Sequence, residues 1–383
     1  MIFRRTLHIC WWTVAVVIVT LAVALSAARL LLPGMSHYRE QVESVAAEVF
    51  KRPVTIGSLD AAWHGISPVL KLDRVVVSDP RLPHGRIAID EVEVAVDLVD
   101  SLLQGRLRTA GVKVIGARLE LETDIRHRIE SLPLRVVAQW LLSQGSIALE
   151  KVQLLWRDPG LFDTPIRLTD LSAKLVNTGQ RHQLLVDAKL PMWLGEALTV
   201  AADFQGRDDD PGDWRGTLYL KTRDLQLGGF RPAMAGSGVV ARGAVNLETW
   251  VGVEHARPVW GSGSLDWQNP DIHNASADAQ GVSADGMSMK FNWRQRNDRW
   301  RIGLRGFELR RDRQAVWPAS DFDFVVQNDR QLRVQGKASL VVLEELNSVL
   351  PLLPWVDDNA LSMLDRLQPS GVMRKAEFEF AYR

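Results

Sequence analysis

Intramolecular disulfides are the first thing this chain of 383 residues lacks, because its one cysteine, Cys10, sits in an apolar N-terminal segment. That leaves the redox compartment open: a disulfide-free protein fits an oxidising envelope as well as the cytosol. Net charge is missing as well. The 46 basic and 46 acidic residues cancel, so no global field draws the chain to nucleic acid or to an anionic membrane. No basic stripe interrupts the balance, which removes nucleic acid as a partner class. Catalytic signatures are also absent. The eight histidines form no HxxxH or HExxH pair, so a zinc-binding helix is excluded. There is no GxSxG elbow for a nucleophilic serine and no Walker-type glycine loop for phosphate. Gly236-Ser237-Gly238-Val239-Val240-Ala241 matches GxGxxA, but the preceding Phe230 to Ala235 is no buried strand, so the match reads as a loop. Asp208-Asp209-Asp210 with Asp213 offers carboxylates for a hard cation, yet Pro211-Gly212 between them marks an exposed turn. No cofactor, metal or enzymatic activity is expected.

Long hydrophobic runs are scarce, with one exception. Leu7 to Ala28 is 22 residues without a formal charge apart from His8, and a spanning helix needs about 20 to cross roughly 30 Å of hydrocarbon. Arg4 and Arg5 precede it, Trp11 and Trp12 suit the first interface, and Arg29 can snorkel at the far end. The expectation is a transmembrane anchor over residues 7–32 with a cytoplasmic tail over 1–6. A cleaved signal peptide is the alternative, since Ala24 to Ala28 are mostly small, although the run exceeds the usual apolar region of about 7–15 residues. Either way the body is expected outside the cytoplasm, on the periplasmic side if the cell is Gram-negative.

What the chain has in abundance is alternation. After the anchor, Tyr38, Val42, Val45 and Val49 fall at helical spacing, and Pro53 ends that helix. Then Leu70/Leu72, Val75/Val77, Ile87/Ile89, Val92/Val94/Val96/Leu98, Val112/Val114 and Leu119/Leu121 alternate with polar residues. The pattern resumes at Ile147/Leu149/Val152/Leu154/Trp156, Leu184/Val186/Ala188, Leu198/Val200/Ala202/Phe204, Met287/Met289/Phe291/Trp293 and Trp300/Ile302/Leu304. It ends on Phe378/Phe380/Tyr382. Turn residues at 177–179, 208–212, 297–298 and 328–329 separate the runs, which predicts an antiparallel meander. Beyond that first helix, helices are expected at Leu132 to Gln144, Ser339 to Leu350 and Asn359 to Gln368. The closing run, Met373 to Arg383, alternates without a cap, and suggests that the sequence continues into further strands.

A few short helices cannot cover an amphipathic sheet of more than a dozen strands. The sheet must pair face to face as a filled sandwich, or curl and leave a lined cavity. Alternation alone does not choose between them. The 14 tryptophans are expected to pack on strand faces, with carbohydrate stacking as the less common use.

The order of elements is more specific. "KRPVTIGSLDAAWHGISPVLKLDRVVVSD" (Lys51 to Asp79) is followed by "VEVAVDLVDSLLQGRLRTAGVKVIGARLELET" (Val92 to Thr123). Leu98, Leu102, Leu103, Gly105, Gly116, Leu119 and Leu121 stand where the AsmA-like family of Gram-negative envelope proteins has its "L-x-x-L-L-x-G" and "L-x-L" positions. The chain resembles that family, and within it the large YhdP-type members, through "SIALEKVQLLWRDP" (Ser146 to Pro159), "WRGTLYLKTRDLQL" (Trp214 to Leu227) and Trp317-Pro318 ahead of a helical pair. It departs at Phe50-Lys51-Arg52-Pro53, where the family often has glycine before the basic residue, and its relatives are much longer.

The resemblance implies a mainly β fold behind an N-terminal transmembrane helix, with an elongated, curled antiparallel sheet forming a hydrophobic groove. It divides the chain into an N-terminal β-rich module (33–125), a helical insertion (126–145) and an elongated β body (146–383) that ends short of the family's length. It implies an inner-membrane-anchored periplasmic conduit that carries phospholipid toward the outer membrane and supports barrier integrity. Leu70, Leu72, Val92, Val94, Val96, Leu98, Leu119, Leu121, Leu149 and Leu154 are the candidate lining. Expected partners are phospholipid, the inner membrane, and periplasmic or outer-membrane proteins. The alternative is a periplasmic scaffold that assists outer-membrane protein assembly. A secreted hydrolase would need a catalytic cluster that the sequence does not supply.

Overall fold

The computed structural model describes residues 38–50, 52–64, 67–78, 86–96, 109–122, 141–207, 210–230, 239–274, 281–328, 332–352, 356 and 358–382. Backbone packing divides the chain into two compact units, 1–118 and 119–383. The expected anchor and Leu98 lie outside the described residues, as does most of the expected helix from Leu132; its end, 141–143, is helical. Among the described residues no helix is long and apolar enough to cross a membrane.

In the first unit, α1 (Arg39–Phe50) leads into β1 (Val54–Thr55), β2 (Ser58–His64), β3 (Ser67–Ser78), β4 (Arg86–Val96) and β5 (Thr109–Ile115). The pairing is antiparallel throughout, with β3 taking β1, β2 and β4 as partners and β4 taking β5. Val54, Ile56, Leu59, Leu72 and Val75 form the buried centre, and Val42 and Ala46 of α1 lean on it. Those two are four residues apart and so share one helical stripe. Tyr38 and Val45, expected on the same face, are exposed instead. The Ile56 N–H donates to Glu43 Oε1 at 2.7 Å, which fastens the helix to the first strand connection. Arg74, at φ 51°, interrupts β3 so that Val75 joins the cluster of Leu72 despite the odd spacing.

β6 (Arg118–Glu122) straddles the division between the units. The second unit then runs as a meander: β7 (Ser146–Arg157), β8 (Ile166–Thr178), β9 (Arg181–Lys189), β10 (Ala197–Gln205), β11 (Arg215–Gln226), β12 (Val239–Glu254) and β13 (Arg257–Asn274). It continues through the short β14 (Gly281–Ser283) to β15 (Gly286–Arg296), β16 (Arg299–Arg311), β17 (Gln314–Asn328), β18 (Leu332–Val342) and β19 (Val372–Tyr382). Each main strand pairs antiparallel with the next, β14 lying beside β13.

The two ends of these strands differ. At one end the turns are tight. Gly179 sits at φ 59°, and His255-Ala256 have φ 52° and 58°. A two-residue hairpin needs positive φ at both central positions in the I′ form, as at His255-Ala256, or at the first in the II′ form, as at Gly179, because these turns match the twist of the flanking strands. At the other end the connections are longer and fold back over the apolar face. Leu161, Phe162 and Leu194 do so over Ile166, Leu168 and Ala188, with Phe230 packed against them. Leu346, Val349 and Leu352 do so over Val245, Trp267, Met287, Leu309, Trp317 and Val342.

The last of these connections contains α2 (Leu346–Val349) and α3 (Asp358–Leu367). The expected helix from Ser339 is corrected by this arrangement. Ser339 to Val342 complete β18, where Leu340, Val341 and Val342 pair with Arg374, Met373 and Val372. β-Branched residues with a waiting partner strand favour the ladder over a helical turn. The connection is latched by Arg311, which donates to both carboxylate oxygens of the buried Glu345 at 2.9 and 3.2 Å. Gly371 N–H donates to Glu344 at 2.6 Å, holding that carboxyl below its usual range.

Candidate functional site

Side chains on a strand alternate between faces, so register fixes which residues share one. In the first unit, Leu59 stands opposite Leu72, Leu72 opposite Val92, and Val92 opposite Val114. Beside that row run Ala61, Leu70, Val94 and Val112. The reverse face carries Lys71, Glu93 and Lys113 in register. Lys71 Nζ reaches Glu91 at 3.1 Å and Glu93 at 2.9 Å. The hydrogen bond from Lys71 is the main cause holding the Glu93 carboxyl below its usual range, and the same bond raises Lys71. One face is therefore a strip of aliphatic carbon and the other a ladder of paired charges.

The second unit repeats the division on a larger scale. Leu149, Ala173, Val186, Val200, Leu220, Thr249, Gly263, Phe291, Leu304, Phe322, Ala338 and Ala376 stand in register on twelve successive strands. A parallel row runs Ile147, Leu175, Leu184, Ala202, Leu218, Val251, Gly261, Trp293, Ile302, Phe324, Gly336 and Phe378. Neither row contains an ionisable residue. At about 4.8 Å between strands, each row is roughly 50 Å long. The hydroxyls of Thr222 and Thr249 turn back to the backbone, bonding Val245 O at 3.4 Å and Ser262 O at 3.1 Å, which keeps these positions compatible with a dry surface.

Most of these side chains are half-buried rather than buried. The two buried clusters each join neighbouring strands to the connections at one end; neither places a second sheet over the rest of the face. The lining changes along the rows. β8 to β11 present mainly Leu, Val and Ala, whereas β15 to β19 are rich in rings. Phe307, Trp317, Phe322, Phe324, Phe378 and Phe380 form a linked series with centroids 5.5–6.1 Å apart. Along that series exposure runs from Trp317, 3% exposed, to Phe380, 57% exposed.

The opposite face is charged. Arg305 donates to Asp323 at 2.6 Å, Arg181 to Asp203 at 2.6 Å, and Lys337 to Glu377 at 2.7 Å. Two troughs open among such residues. One, of about 720 Å³, is lined in part by Lys221, Glu248, Asp266, Lys290 and Arg305. The other, of about 490 Å³, is lined in part by Lys174, Gln183, Leu185, Asp203 and Tyr219. Tyr219 donates to Glu248 at 2.7 Å, which raises the phenol above its usual range. Among the described residues no group of three or more His, Cys, Asp or Glu side chains is placed to hold a metal ion.

The candidate lining residues fall in several settings. Leu70, Leu72, Val92 and Val94 share one face of the first unit, and the end of it around Leu72 is covered by α1. Val96 is buried at the end of β4, while Leu119 and Leu121 are half-buried on β6. Leu149 lies on the long row, but Leu154 packs against the cluster that Phe162 and Leu194 cover. Residues from Val186 to Phe378 on the long rows were not among the candidates. Their alternation was visible, and so were the glycines at 261, 263 and 336 inside alternating runs, a sign of close approach.

Fold and face together define a class: a mainly β protein built on consecutive antiparallel strands, each unit of which has an apolar face and a charged face among the described residues. The family model described as YhdP protein matches residues 1–382, and the chain belongs to that family. No curated protein matches the chain.

Proposed function

We propose that this protein is a lipid-transfer conduit anchored in the inner membrane of a Gram-negative cell by Leu7 to Ala28, moving phospholipid across the periplasm toward the outer membrane and supporting its barrier. The observation that carries this reading is the pair of uncharged rows crossing twelve strands of the second unit, most of whose side chains are half-buried, with no second sheet of that unit over them among the described residues. A surface of that size left to water is unfavourable, and large exposed apolar areas mark binding sites. Acyl chains satisfy it. Exposing a methylene costs about 0.8 kcal/mol, so a 16-carbon tail in water costs about 12 kcal/mol. A row of equivalent aliphatic contacts removes that cost while the headgroup stays in water. Sliding along it requires neither a catalytic residue nor a cofactor.

A photo-crosslinking amino acid in the full-length protein tests this in cells grown with radiophosphorus. At Val94 and Val200 it is expected to capture labelled phospholipid; at Glu93 and Lys221, on the charged faces, it is expected not to. Equal labelling on both faces, or protein adducts alone at all four positions, contradicts the reading.

A further inference from the structure

Three glycines interrupt the apolar rows at the strands where the lining turns aromatic. Each is overlain by a ring from the neighbouring strand. A Cβ built on Gly261 would clash with the indole of Trp293 at Nε1, Cε2 and Cζ2. One on Gly336 would clash with the ring of Phe378, and one on Gly263 would sit 2.8 Å from Cζ of Phe291. These rings therefore lie down across the partner strand instead of standing up from their own. Side chains ordinarily stand roughly perpendicular to the sheet. An upright indole would project into the path along the face.

We infer that Gly261 and Gly336 are clearance positions of the conduit: by letting Trp293 and Phe378 lie flat, they keep the aromatic half of the apolar face passable to acyl chains. This rests on the lipid-transfer reading above. Two observations support it beyond proximity. At both glycines the nearest atoms to the added carbon are all side-chain atoms of the ring, with no backbone among them. What a side chain there displaces first is the ring, not the strand. Trp293 also contacts Trp300 on β16 at a centroid distance of 5.3 Å, so a displaced indole is hindered from swinging that way and rises instead. A phospholipid crossing from β12 to β16 along this row passes over the pair, beside the row that includes Leu304.

The charged face supplies an internal control. Gly252 is covered by the indole of Trp260 in the same manner, but on the side away from the proposed path. The measurement is radiophosphorus crosslinking in the full-length protein, with the photo-reactive residue at Val200 or at Leu304. Gly261→Val is expected to reduce labelling at Leu304 about fivefold or more while Val200 stays labelled. Removing the ring as well, in Gly261→Val/Trp293→Ala, is expected to restore Leu304, and Gly252→Val to leave both positions unchanged. Unaltered labelling at Leu304 in Gly261→Val overturns the inference. So does failure of Trp293→Ala to rescue, or an equal loss in Gly252→Val, because each of these makes the glycine a matter of folding alone. Absence of lipid at both positions in the unaltered protein refutes the conduit itself.

Discussion

Val200→Asp is expected to stop phospholipid from reaching the strands beyond β10. Val200 is fourth of the twelve residues in the long row, between Val186 on β9 and Leu220 on β11. Neither row offers a cation to pair with a new carboxylate; the basic residues of these strands, such as Lys189 and Lys221, point to the other face. An acyl chain sliding past would have to strip water from an unpaired charge. Desolvating such a group without a partner costs several kcal/mol, and about 3 kcal/mol corresponds to roughly a hundredfold loss. Crosslinking at Leu304 should fall by that order in Val200→Asp. Ser264→Asp, on the charged face between Glu248 and Lys290, should leave it within about twofold, since its charge stays in water. Equal effects of the two substitutions would contradict a one-sided path.

Leu309→Ala is the second large effect, and it falls on stability. Leu309 is 0% exposed at the centre of the cluster with Trp267, Met287 and Trp317. A Leu→Ala change in such a site loses both transfer energy and packing, about 3–5 kcal/mol. Leu220→Ala removes the same atoms from a part of the face outside the buried clusters, where the side chain is half-buried. Its cost is expected to be about 1–2 kcal/mol, in line with partial burial. Denaturant midpoints of the two variants, compared at equal slope, read the difference. Similar costs for both would mean that the face is as fully packed at Leu220 as at Leu309.

Alternation made the faces legible. Period set Leu70 with Leu72, and Val92 with Val94, on one face of their own strands; that the two pairs stand opposite each other is a matter of the register between β3 and β4. The shift from Leu149 to Val152 was visible too, because two polar residues intervene; Lys151, at φ 55°, supplies the bulge that resets the phase. Other features have no local signal. His255-Ala256 carries none of the usual Asn-Gly or Asp-Gly chemistry, yet the pair turns with positive φ because the long strands on either side hold it. Leu154 and Leu149 look alike in sequence. They part company only because a distant segment, Phe162 and Leu194, folds over one and not the other. The flattened rings needed the partner strand: Gly261 and Trp293 are 32 positions apart and meet only through the pairing of β13 with β15.

Whether lipid occupies the apolar face is tested most directly by mass spectrometry of the full-length protein, extracted gently and released from its carrier in the gas phase. The account predicts retained phospholipid, displaced in the Val200→Asp protein and retained in Ser264→Asp. A protein that carries no lipid, or one that retains it equally in both variants, would contradict it.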